Sequence, residues 1–499
     1  MPREQAKRKS TARLLGSRRM SKEQYERVLP PLRDALLAAQ KEMQHEKSFA
    51  LAVIVTGTPT AGRSEIVNEF LEWLDPKHIR VHALSALREV SHAWPPMWRY
   101  WNKLPAKGEI AFFFMGWYED FTYPALMGPK KARHNEGRVV ERIRQFEGML
   151  LRDGVRTLKL HLTVSAELQA QRIDELRASK LTRWRVTREE RWLARHHDKV
   201  NDVARRCFSL TDQPDLQWSV IDGSDVQSRS FTAGRLVLDA LEKGLHSRAA
   251  KGAKPKRTTR LGTRPLPSSP PGGPVNDDDY DVELEQLRGR FALLTRRGRF
   301  AKHGAVLGFE GMDAAGKGGA IRRLTSALDA RQYNVVPVSA PTPEELSYPY
   351  LWRFWRHVPR RGDIAIFDRT WYGRVLVERV RGFAVPADWQ RAYDEINEFE
   401  HQLVEHGFIV HKFWLHVSKT EQLERFEARN TDKLKRYKVD PEDWVNRKLY
   451  DQYHAAAREM IARTSTDHAP WTVVEADDKK FARLKVLRTV CEAIETKIN

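Results

Sequence analysis

The chain is poor in cysteine and in long apolar segments. Only 2 of its 499 residues are cysteines, so we expect no disulfide framework, and a reducing compartment fits. No stretch approaches the ~18 consecutive apolar residues of a membrane-spanning helix. Residues 1–20 are basic but have no apolar core of the kind that a secretory signal needs. These absences predict a cytoplasmic protein without a membrane partner.

Two common kinds of catalytic chemistry also lack their residues. The 17 histidines are scattered along the chain, and no Cys/His cluster has the spacing of a zinc site. No arrangement points to a Ser or Cys nucleophile or to a phosphohistidine intermediate. Any group transfer is therefore expected to be direct and in line.

Acidic residues are too few to balance the basic ones, and the net charge is +20. Such an excess indicates an anionic partner, which can be nucleic acid, a phosphate-rich substrate or an anionic membrane, although a generally basic soluble surface has the same composition. The 15 tryptophans exclude a chain that is disordered throughout. A length of 499 residues predicts two or three domains.

Residues 247–279 have the composition of a linker. Basic residues come first, then a run rich in proline, glycine and serine, then three aspartates. Such a segment cannot bury a core and is expected to be extended or disordered. Its basic part either contacts an anionic substrate or is a solvated tether. We therefore predict a disordered basic tail at 1–20 and two domains, at 21–246 and 280–499.

The two predicted domains repeat each other. Residues 98–101 read WRYW and residues 352–355 read WRFW, an offset of 254 residues that becomes 253 further along the chain. So long a register indicates duplication and fusion of a whole domain. Strand-like and helix-like segments alternate, which favours an α/β fold with a parallel sheet flanked by helices in each half. In the second half we predict strands at 305–309, 334–338, 363–367, 408–417 and 471–475, and helices at 317–328, 349–357, 387–406 and 421–429.

A phosphate-binding loop follows the first strand of the second half. Residues 311–318 read GMDAAGKG, the P-loop pattern, in which Gly311 and Gly316 let backbone N–H groups face phosphates and Lys317 reaches the terminal ones. Gly318 stands where a Ser or Thr usually binds magnesium. Asp313 lies inside the loop instead, and we interpret it as a Mg²⁺ ligand or a base. The alternative is that Asp313 only caps the following helix.

A second acidic position ends a predicted strand. Residues 364–369 read IAIFDR, and Asp368 has the position of the aspartate that holds magnesium in P-loop enzymes. Arg369 beside it can clamp a phosphoryl group in transfer. The sequence therefore predicts Asp313 and Asp368 as metal ligands and Asp313, Lys317, Asp368 and Arg369 as the catalytic set.

The first half has lost these side chains. Its loop, residues 57–64, reads GTPTAGRS, with Pro59 in the place of the aspartate and Arg63 in the place of the lysine. Phe114 and Met115 stand where the second half has Asp368 and Arg369. The first half is therefore predicted to be a catalytically inactive copy that is kept for structure or regulation.

Basic residues around the second loop are candidates for contacts with further phosphates. A cluster after the 408–417 strand has the position of a lid that closes over phosphates, although a solvated helical face is the alternative. The Trp and Arg residues at 352–356 could stack on nucleic-acid bases, but their helical spacing favours packing in the core. The candidate phosphate ligands are Gly311, Gly316, Gly318, Arg322, Arg323, Arg356, Arg374, Arg425, Lys435, Arg436 and Lys438.

These motifs resemble those of the polyphosphate kinase 2 family. The resemblance rests on residues 310–323, on FDRTWY at 367–372 and on DKLKRYK at 432–438, and it covers roughly 280–495 and, more faintly, 20–245. It implies a thymidylate-kinase-like fold with a helical lid and phosphoryl transfer between inorganic polyphosphate and nucleotides, dependent on Mg²⁺ or Mn²⁺. Tandem members with a decayed first copy make ADP from AMP. A homo-oligomer is possible, and no nucleic-acid partner is implied.

Two other functions fit the sequence. One is an ATP-dependent nucleoside monophosphate kinase on the same fold. The other is a basic nucleic-acid-binding protein with a vestigial nucleotide site, which the net charge and the basic linker would favour. The physiological direction and the residues that recognise the base stay open.

Overall fold

The computed structural model describes residues 14–16, 18–83, 93–128, 135–246, 275–431 and 441–499. It divides into two units. As far as these ranges are described, the first unit consists of Met1–Val90, Arg99–Ala250 and Pro341–Trp352, and the second of Ser91–Trp98, Lys251–Ala340 and Arg353–Asn499. Each unit thus includes a short segment from the other half of the chain. Ser91–Trp98 belongs to the second unit and Pro341–Trp352 to the first.

The first half of the chain forms a parallel sheet flanked by helices. Its strands are β1 Leu14–Leu15, β2 Ala50–Gly57, β3 Ile79–His82, β4 Ile110–Phe114, β5 Val155–Thr163 and β6 Trp218–Asp222, and their spatial order is β1-β6-β5-β2-β4-β3. Its helices are α1 Lys22–Glu46, α2 Arg63–Trp73, α3 Trp98–Trp101, α4 Glu119–Met127, α5 Glu136–Arg152, α6 Ala166–Ala178, α7 Arg188–Arg195, α8 His197–Thr211 and α9 Val226–His246.

The second half repeats this arrangement. Its strands are β7 Ala305–Gly311, β8 Tyr333–Pro337, β9 Ile364–Asp368, β10 Ile409–His416 and β11 Trp471–Glu475, in the parallel order β11-β10-β7-β9-β8. Its helices are α10 Asp277–Thr295, α11 Lys317–Thr325, α12 Pro343–Leu346, α13 Trp352–Trp355, α14 Val377–Val380, α15 Pro386–Glu405, α16 Lys419–Thr431, α17 Pro441–Lys448, α18 Tyr450–Thr464 and α19 Lys479–Ile498. The predicted α/β class is confirmed in both halves.

The burial of each strand follows from its place in the sheet. Strands β2 and β7 lie at the centre and are buried along almost their whole length, as expected for strands covered by helices on both faces. Strand β8 lies at an edge and alternates between exposed and half-buried positions before Val336. The carboxyl ends of β7, β9 and β10 meet at one edge of the sheet, where parallel α/β folds bind their ligands.

The aromatic repeat belongs to the core, as predicted. Trp355 is 1% exposed and Phe354 3%, and in the first half Tyr100 and Trp101 are equally buried. Trp355 packs edge-on against Phe399 at a centroid distance of 4.9 Å. Buried rings with aromatic neighbours are not available for stacking on nucleic-acid bases.

The structure corrects the ends of the tail and of the linker. Leu14 and Leu15 form β1, which pairs with β6, so the tail is not disordered from there on; residues 1–13 and 17 lie outside the described ranges. Asp277–Asp279 form the first turn of α10, with Asn276 as the N-cap, because acidic side chains stabilise the start of a helix. The rest of the predicted linker, up to residue 274, is not described.

Candidate active site

The predicted phosphate loop lies between β7 and α11. Gly311 has φ 147° and Gly316 φ 98°. A Cβ on Gly311 would lie 2.4 Å from the carbonyl oxygen of Leu415, so this close approach to β10 requires glycine. Around Gly316, and around Gly318 in the first turn of α11, no described atom lies within 4 Å of an added Cβ. The open start of α11 has unpaired N–H groups and positive partial charge, which favour an anion.

Lys317 lies folded over this loop. Its Nζ donates hydrogen bonds to the carbonyl oxygens of Gly311 at 2.7 Å and Met312 at 3.3 Å. Two carbonyl groups are weak partners for an ammonium group, and phosphate oxygens can replace them. The position therefore fits the predicted role.

Asp313 and Arg369 are brought together from two strand ends. Nη2 of Arg369 donates to Oδ1 of Asp313 at 3.2 Å, and Nδ2 of Asn446 donates to its Oδ2 at 2.9 Å. Oδ1 of Asn446 in turn accepts from Arg381 at 3.1 Å and from the hydroxyl of Tyr453 at 3.2 Å. Asp313 is therefore held by side chains and does not act as a simple helix cap. Asn446, Arg381 and Tyr453 were not predicted from the sequence, because single polar residues that lie far apart along the chain form no motif.

Asp368 ends β9, directly beside the loop strand. It lies opposite Phe309 in the β7–β9 register. Arg369 follows with φ 63°, a left-handed conformation that costs about 1–2 kcal/mol for a residue with a side chain. The chain then enters a short 3₁₀ helix, Trp371–Arg374. This sharp turn places the two predicted catalytic residues at the carboxyl edge of the sheet.

A buried carboxyl group that was not predicted fixes the turn. Glu310 is 6% exposed, and its Oε1 accepts from the backbone N–H of Thr370 at 2.8 Å and from the hydroxyl of Thr370 at 2.7 Å. Burial raises the pKa of Glu310. Thr56 and Gly116 occupy the corresponding positions in the first half, so this link exists only beside the second loop.

Behind the turn lies a buried ion pair that both halves contain. Lys412 Nζ donates to Glu400 Oε2 at 2.6 Å, and the carboxylate also accepts from Trp371 Nε1 at 2.9 Å and from the Tyr372 hydroxyl at 2.7 Å. Burial lowers the pKa of Lys412. The equivalent group in the first half consists of Lys159, Glu147, Trp117 and Tyr118. Because the first half keeps this network without the predicted catalytic side chains, we interpret the network as a support for the fold.

Arg425, predicted as a phosphate ligand, is buried in the structure. It is 4% exposed and donates to the carbonyl oxygens of Ala314, Ala476 and Asp477 and to the carboxylate of Glu421. In the first half, Arg172 donates to the equivalent carbonyl groups of Thr60, Gly223 and Ser224. The donors of Arg425 are taken by the protein, so we correct its assignment. Arg425 is not placed as a phosphate ligand but braces the loop from behind.

The other predicted phosphate ligands have varied surroundings. Arg322 and Arg356 are exposed and Arg323 is half-buried. Arg374 forms an ion pair with Glu378 at 2.8 Å, and burial raises the pKa of that glutamate. Lys435, Arg436 and Lys438 lie outside the described residues, as does most of the predicted lid segment between α16 and α17.

The first half keeps the backbone of the site without its side chains. Thr60 has φ 61° and Met115 φ 61°, close to the values of Ala314 and Arg369. Its loop is also obstructed, since an added Cβ on Gly62 would lie 2.0 Å from Nη1 of Arg229. Arg229 is itself 3% exposed. A guanidinium group thus packs against the loop glycine that is open in the second half.

Two absences among the described residues bear on metals and membranes. Nowhere in the described ranges do three His, Cys, Asp or Glu side chains cluster as a metal site of their own. A site formed from two carboxylates therefore needs oxygen ligands from the substrate or water. Among the same residues, no helix has the length and apolar character that crossing a bilayer requires.

A glycine-rich loop between a central strand and a helix, beside a parallel strand that ends in aspartate, defines the second half as a P-loop phosphotransferase domain. A family model described as polyphosphate kinase 2 matches the chain twice, at residues 19–249 and 274–499. The chain therefore belongs to the polyphosphate kinase 2 family and contains two of its domains in tandem. The predicted duplication is confirmed.

Relatives of known name resemble the chain over nearly its full length. A polyphosphate:AMP phosphotransferase of Pseudomonas aeruginosa is 42% identical, over 95% of this chain and 97% of its own. One of Acinetobacter johnsonii is 35% identical, over 93% and 94%. A crystal structure of a putative polyphosphate kinase 2 from Pseudomonas aeruginosa matches with a TM-score of 0.84 and 42% identity, covering 96% of this chain and 97% of that one.

Proposed function

We propose that the protein transfers a phosphoryl group from inorganic polyphosphate to AMP. An oxygen of the AMP phosphate attacks the terminal phosphorus of the polyphosphate, the P–O–P bond to the next unit breaks, and ADP and a chain shorter by one unit leave. The observation that supports this most is the similarity over nearly the whole length to phosphotransferases named for these two substrates.

The side chains of the second half divide the work of this transfer. The loop N–H groups and Lys317 bind the phosphoryl group that moves, and Arg369 neutralises the charge that develops on it. Asn446 orients Asp313 from its other side, at 2.9 Å. Such positioning and charge stabilisation account for most of the catalysis in phosphoryl transfer. These roles rest on geometry and charge together.

Asp313 and Asp368 fit a divalent cation. Both are carboxylates at the same edge of the sheet, and Mg²⁺ or Mn²⁺ prefers oxygen ligands from one or two carboxylates together with substrate phosphates. Asp313 now bonds only to nitrogen donors, Arg369 and Asn446, which a cation can displace. When bound, the cation would neutralise negative charge on the phosphates. We assign its protein ligands to these two aspartates.

The first half does not take part in the chemistry. Phe114 and Met115 offer no ligand for a cation or phosphate, and Arg229 lies against the loop glycine Gly62. We therefore assign it a structural or regulatory role. The cytoplasmic location, the oligomeric state and the absence of a nucleic-acid partner stay predictions.

An assay without ATP tests the proposal. The protein is incubated with AMP, polyphosphate and Mg²⁺, and ADP is measured by anion-exchange chromatography. We expect ADP from the wild type and a loss of at least about a hundredfold in Asp368→Asn, since that side chain organises charge at the transferring group. Phe114→Asn, at the equivalent position of the first half, is the matched control and should leave the rate unchanged.

Two outcomes would contradict the proposal. ADP formed with ATP but not with polyphosphate would indicate a nucleoside monophosphate kinase. Tight binding of DNA in a mobility-shift assay, with polyphosphate unable to compete and no transfer to AMP, would indicate a nucleic-acid-binding protein.

A further inference from the structure

Three cationic side chains lie together beside the loop helix of the second half. Nη2 of Arg483, on α19, would lie 3.5 Å from a Cβ on Gly319, in the first turn of α11. Lys479 is the first residue of α19, and Arg429 lies near the end of α16. Burial lowers the pKa of Lys479, and the nearby charges of Arg425, Arg483 and Arg429 act in the same direction, whereas Glu421 acts against them.

This cluster, Arg429, Lys479 and Arg483, has few partners in the part of the chain that the structure describes. Among the described residues, Arg429 and Lys479 form no hydrogen bond or ion pair, and Arg483 makes a long contact of 3.5 Å to the hydroxyl of Tyr280. Like charges that repel one another at a protein surface cost stability unless an anion joins them. The arrangement therefore has the properties of an anion-binding surface.

The first half provides an internal comparison. At the equivalent positions it has Leu176, Val226 and Ser230, so all three charges are absent. It nevertheless keeps Arg172, the counterpart of the bracing Arg425. A purely structural role would have kept the cluster as it kept the brace. Its loss together with the catalytic side chains associates the three cations with the ligand.

The space between the cluster and the loop also differs between the halves. In the first half, Arg229 of α9 fills the space beside Gly62. In the second half the equivalent residue is Ala482, and no described atom lies within 4 Å of a Cβ on Gly316. The space beside this loop glycine is therefore filled in the first half and open, among the described residues, in the second.

We propose that Arg429, Lys479 and Arg483 bind the part of the polyphosphate chain beyond the transferred unit, so that the enzyme selects donors by length. The inference rests on the proposed function. Each internal phosphate of the donor is anionic, and charged hydrogen bonds to such groups are worth more than neutral ones. Tripolyphosphate has only two units beyond the transferred one, whereas a long chain has many, so transfer from long chains should depend more on the cluster.

A swap to the residues of the first half tests this. In Arg429→Leu/Lys479→Val/Arg483→Ser, we expect kcat/KM for long-chain polyphosphate to fall at least about tenfold, mainly through KM. The values for tripolyphosphate and the KM of AMP should stay within twofold, roughly the experimental scatter. Equilibrium binding of long-chain polyphosphate in the absence of AMP should weaken by the same factor. The single variant Lys479→Gln, expected to give a smaller change in the same direction, covers the case in which the triple variant fails to fold.

A control with the same loss of charge is available in the same unit. Arg296→Leu/Arg297→Ser/Lys302→Val removes three exposed cations that precede the amino end of β7, opposite the loop. This variant should keep the wild-type preference for long chains. An equal loss in both triple variants, or an unchanged length preference in the first, would overturn the inference. Wild-type protein that transfers from no polyphosphate of any length would overturn the proposed function itself.

Discussion

Breaking the buried Glu400–Lys412 ion pair is expected to destabilise the second unit and displace its catalytic turn. The two side chains are 1% and 0% exposed. In Lys412→Met, the carboxylate of Glu400 keeps its bonds from Trp371 and Tyr372 but loses its counter-charge. Because those two aromatic residues come two and three positions after Arg369, we expect any adjustment of Glu400 to move the turn that follows Asp368.

The cost follows from the complete burial of the pair. Removing one partner of a buried ion pair typically costs about 3–5 kcal/mol, because an uncompensated charge remains in the interior. That is a large part of the ~5–15 kcal/mol by which domains are stable. Glu400→Gln combined with Lys412→Met leaves no charge behind and should cost less than the sum of the single variants by about 1–3 kcal/mol.

Urea unfolding followed by tryptophan fluorescence measures these values. Lys159→Met in the first half is the matched variant, since Lys159 and Glu147 are both 0% exposed. Lys412→Met should lower one unfolding midpoint and ADP formation, and Lys159→Met should lower the other midpoint and leave the chemistry intact while the unit is folded. Single variants that each cost under about 1 kcal/mol, the range of exposed pairs, would refute the reasoning, as would strictly additive effects in the double variant.

Three further outcomes are expected. Burial lowers the pKa of His411 from 6.5 to about 4, so the unfolded state binds the proton more readily than the folded state. The free energy of unfolding should therefore fall by about 2 kcal/mol between pH 6.5 and pH 5. His411→Gln should flatten this part of the curve of unfolding free energy against pH. The raised pKa of Glu310 means that its contribution to stability is present below pH 4.5 and lost as the pH rises through the folded-state pKa. The stability of Glu310→Gln relative to the wild type, measured by urea titration, should therefore increase from acid to neutral pH. Glu310→Ala leaves the Thr370 donors unpaired and should lower the free energy of unfolding by about 1–3 kcal/mol. Arg425→Met should destabilise its unit by about 3 kcal/mol in the same assay, since its guanidinium loses buried hydrogen bonds to Ala314 and Ala476. Arg172→Met should cost less, because the contacts of Arg172 are part-buried or exposed. Weaker polyphosphate binding in Arg425→Met with unchanged stability would instead make Arg425 a ligand.

The sequence predicted what is local or repeated. The loop at 311–318 and the strand that ends at Asp368 each have a motif and an apolar run. The internal repeat also marks the equivalent loop and strand in the first half. Strand β11 was predicted at its observed bounds, Trp471–Glu475. The helix predicted at 349–357 is limited to Trp352–Trp355, because apolar spacing does not indicate where a short helix ends.

What the sequence could not predict depends on contacts between distant residues. Asn446 reaches Asp313 from a position 133 residues away, and the Glu310–Thr370 link spans 60 residues. Arg425 is of the residue type expected for a phosphate ligand, but its burial against backbone carbonyl groups is visible only in three dimensions. The retention of Arg172 in the first half, which lacks the predicted catalytic side chains, is the sequence signal of a structural arginine at this position.

The two halves together separate the requirements of the fold from those of the chemistry. The left-handed residues of the loop and the turn keep their conformation in the first half, 61° at Thr60 against 62° at Ala314 and 61° at Met115 against 63° at Arg369. The backbone strain is thus a property of this fold and gives no evidence of catalysis. The buried pairs Glu147–Lys159 and Glu400–Lys412 are likewise common to both. Among the described residues, the second half differs in the polar side chains Asp313, Lys317 and Arg369, which bond to one another, to Asn446 or to loop carbonyl groups. A ligand would give such groups stronger partners.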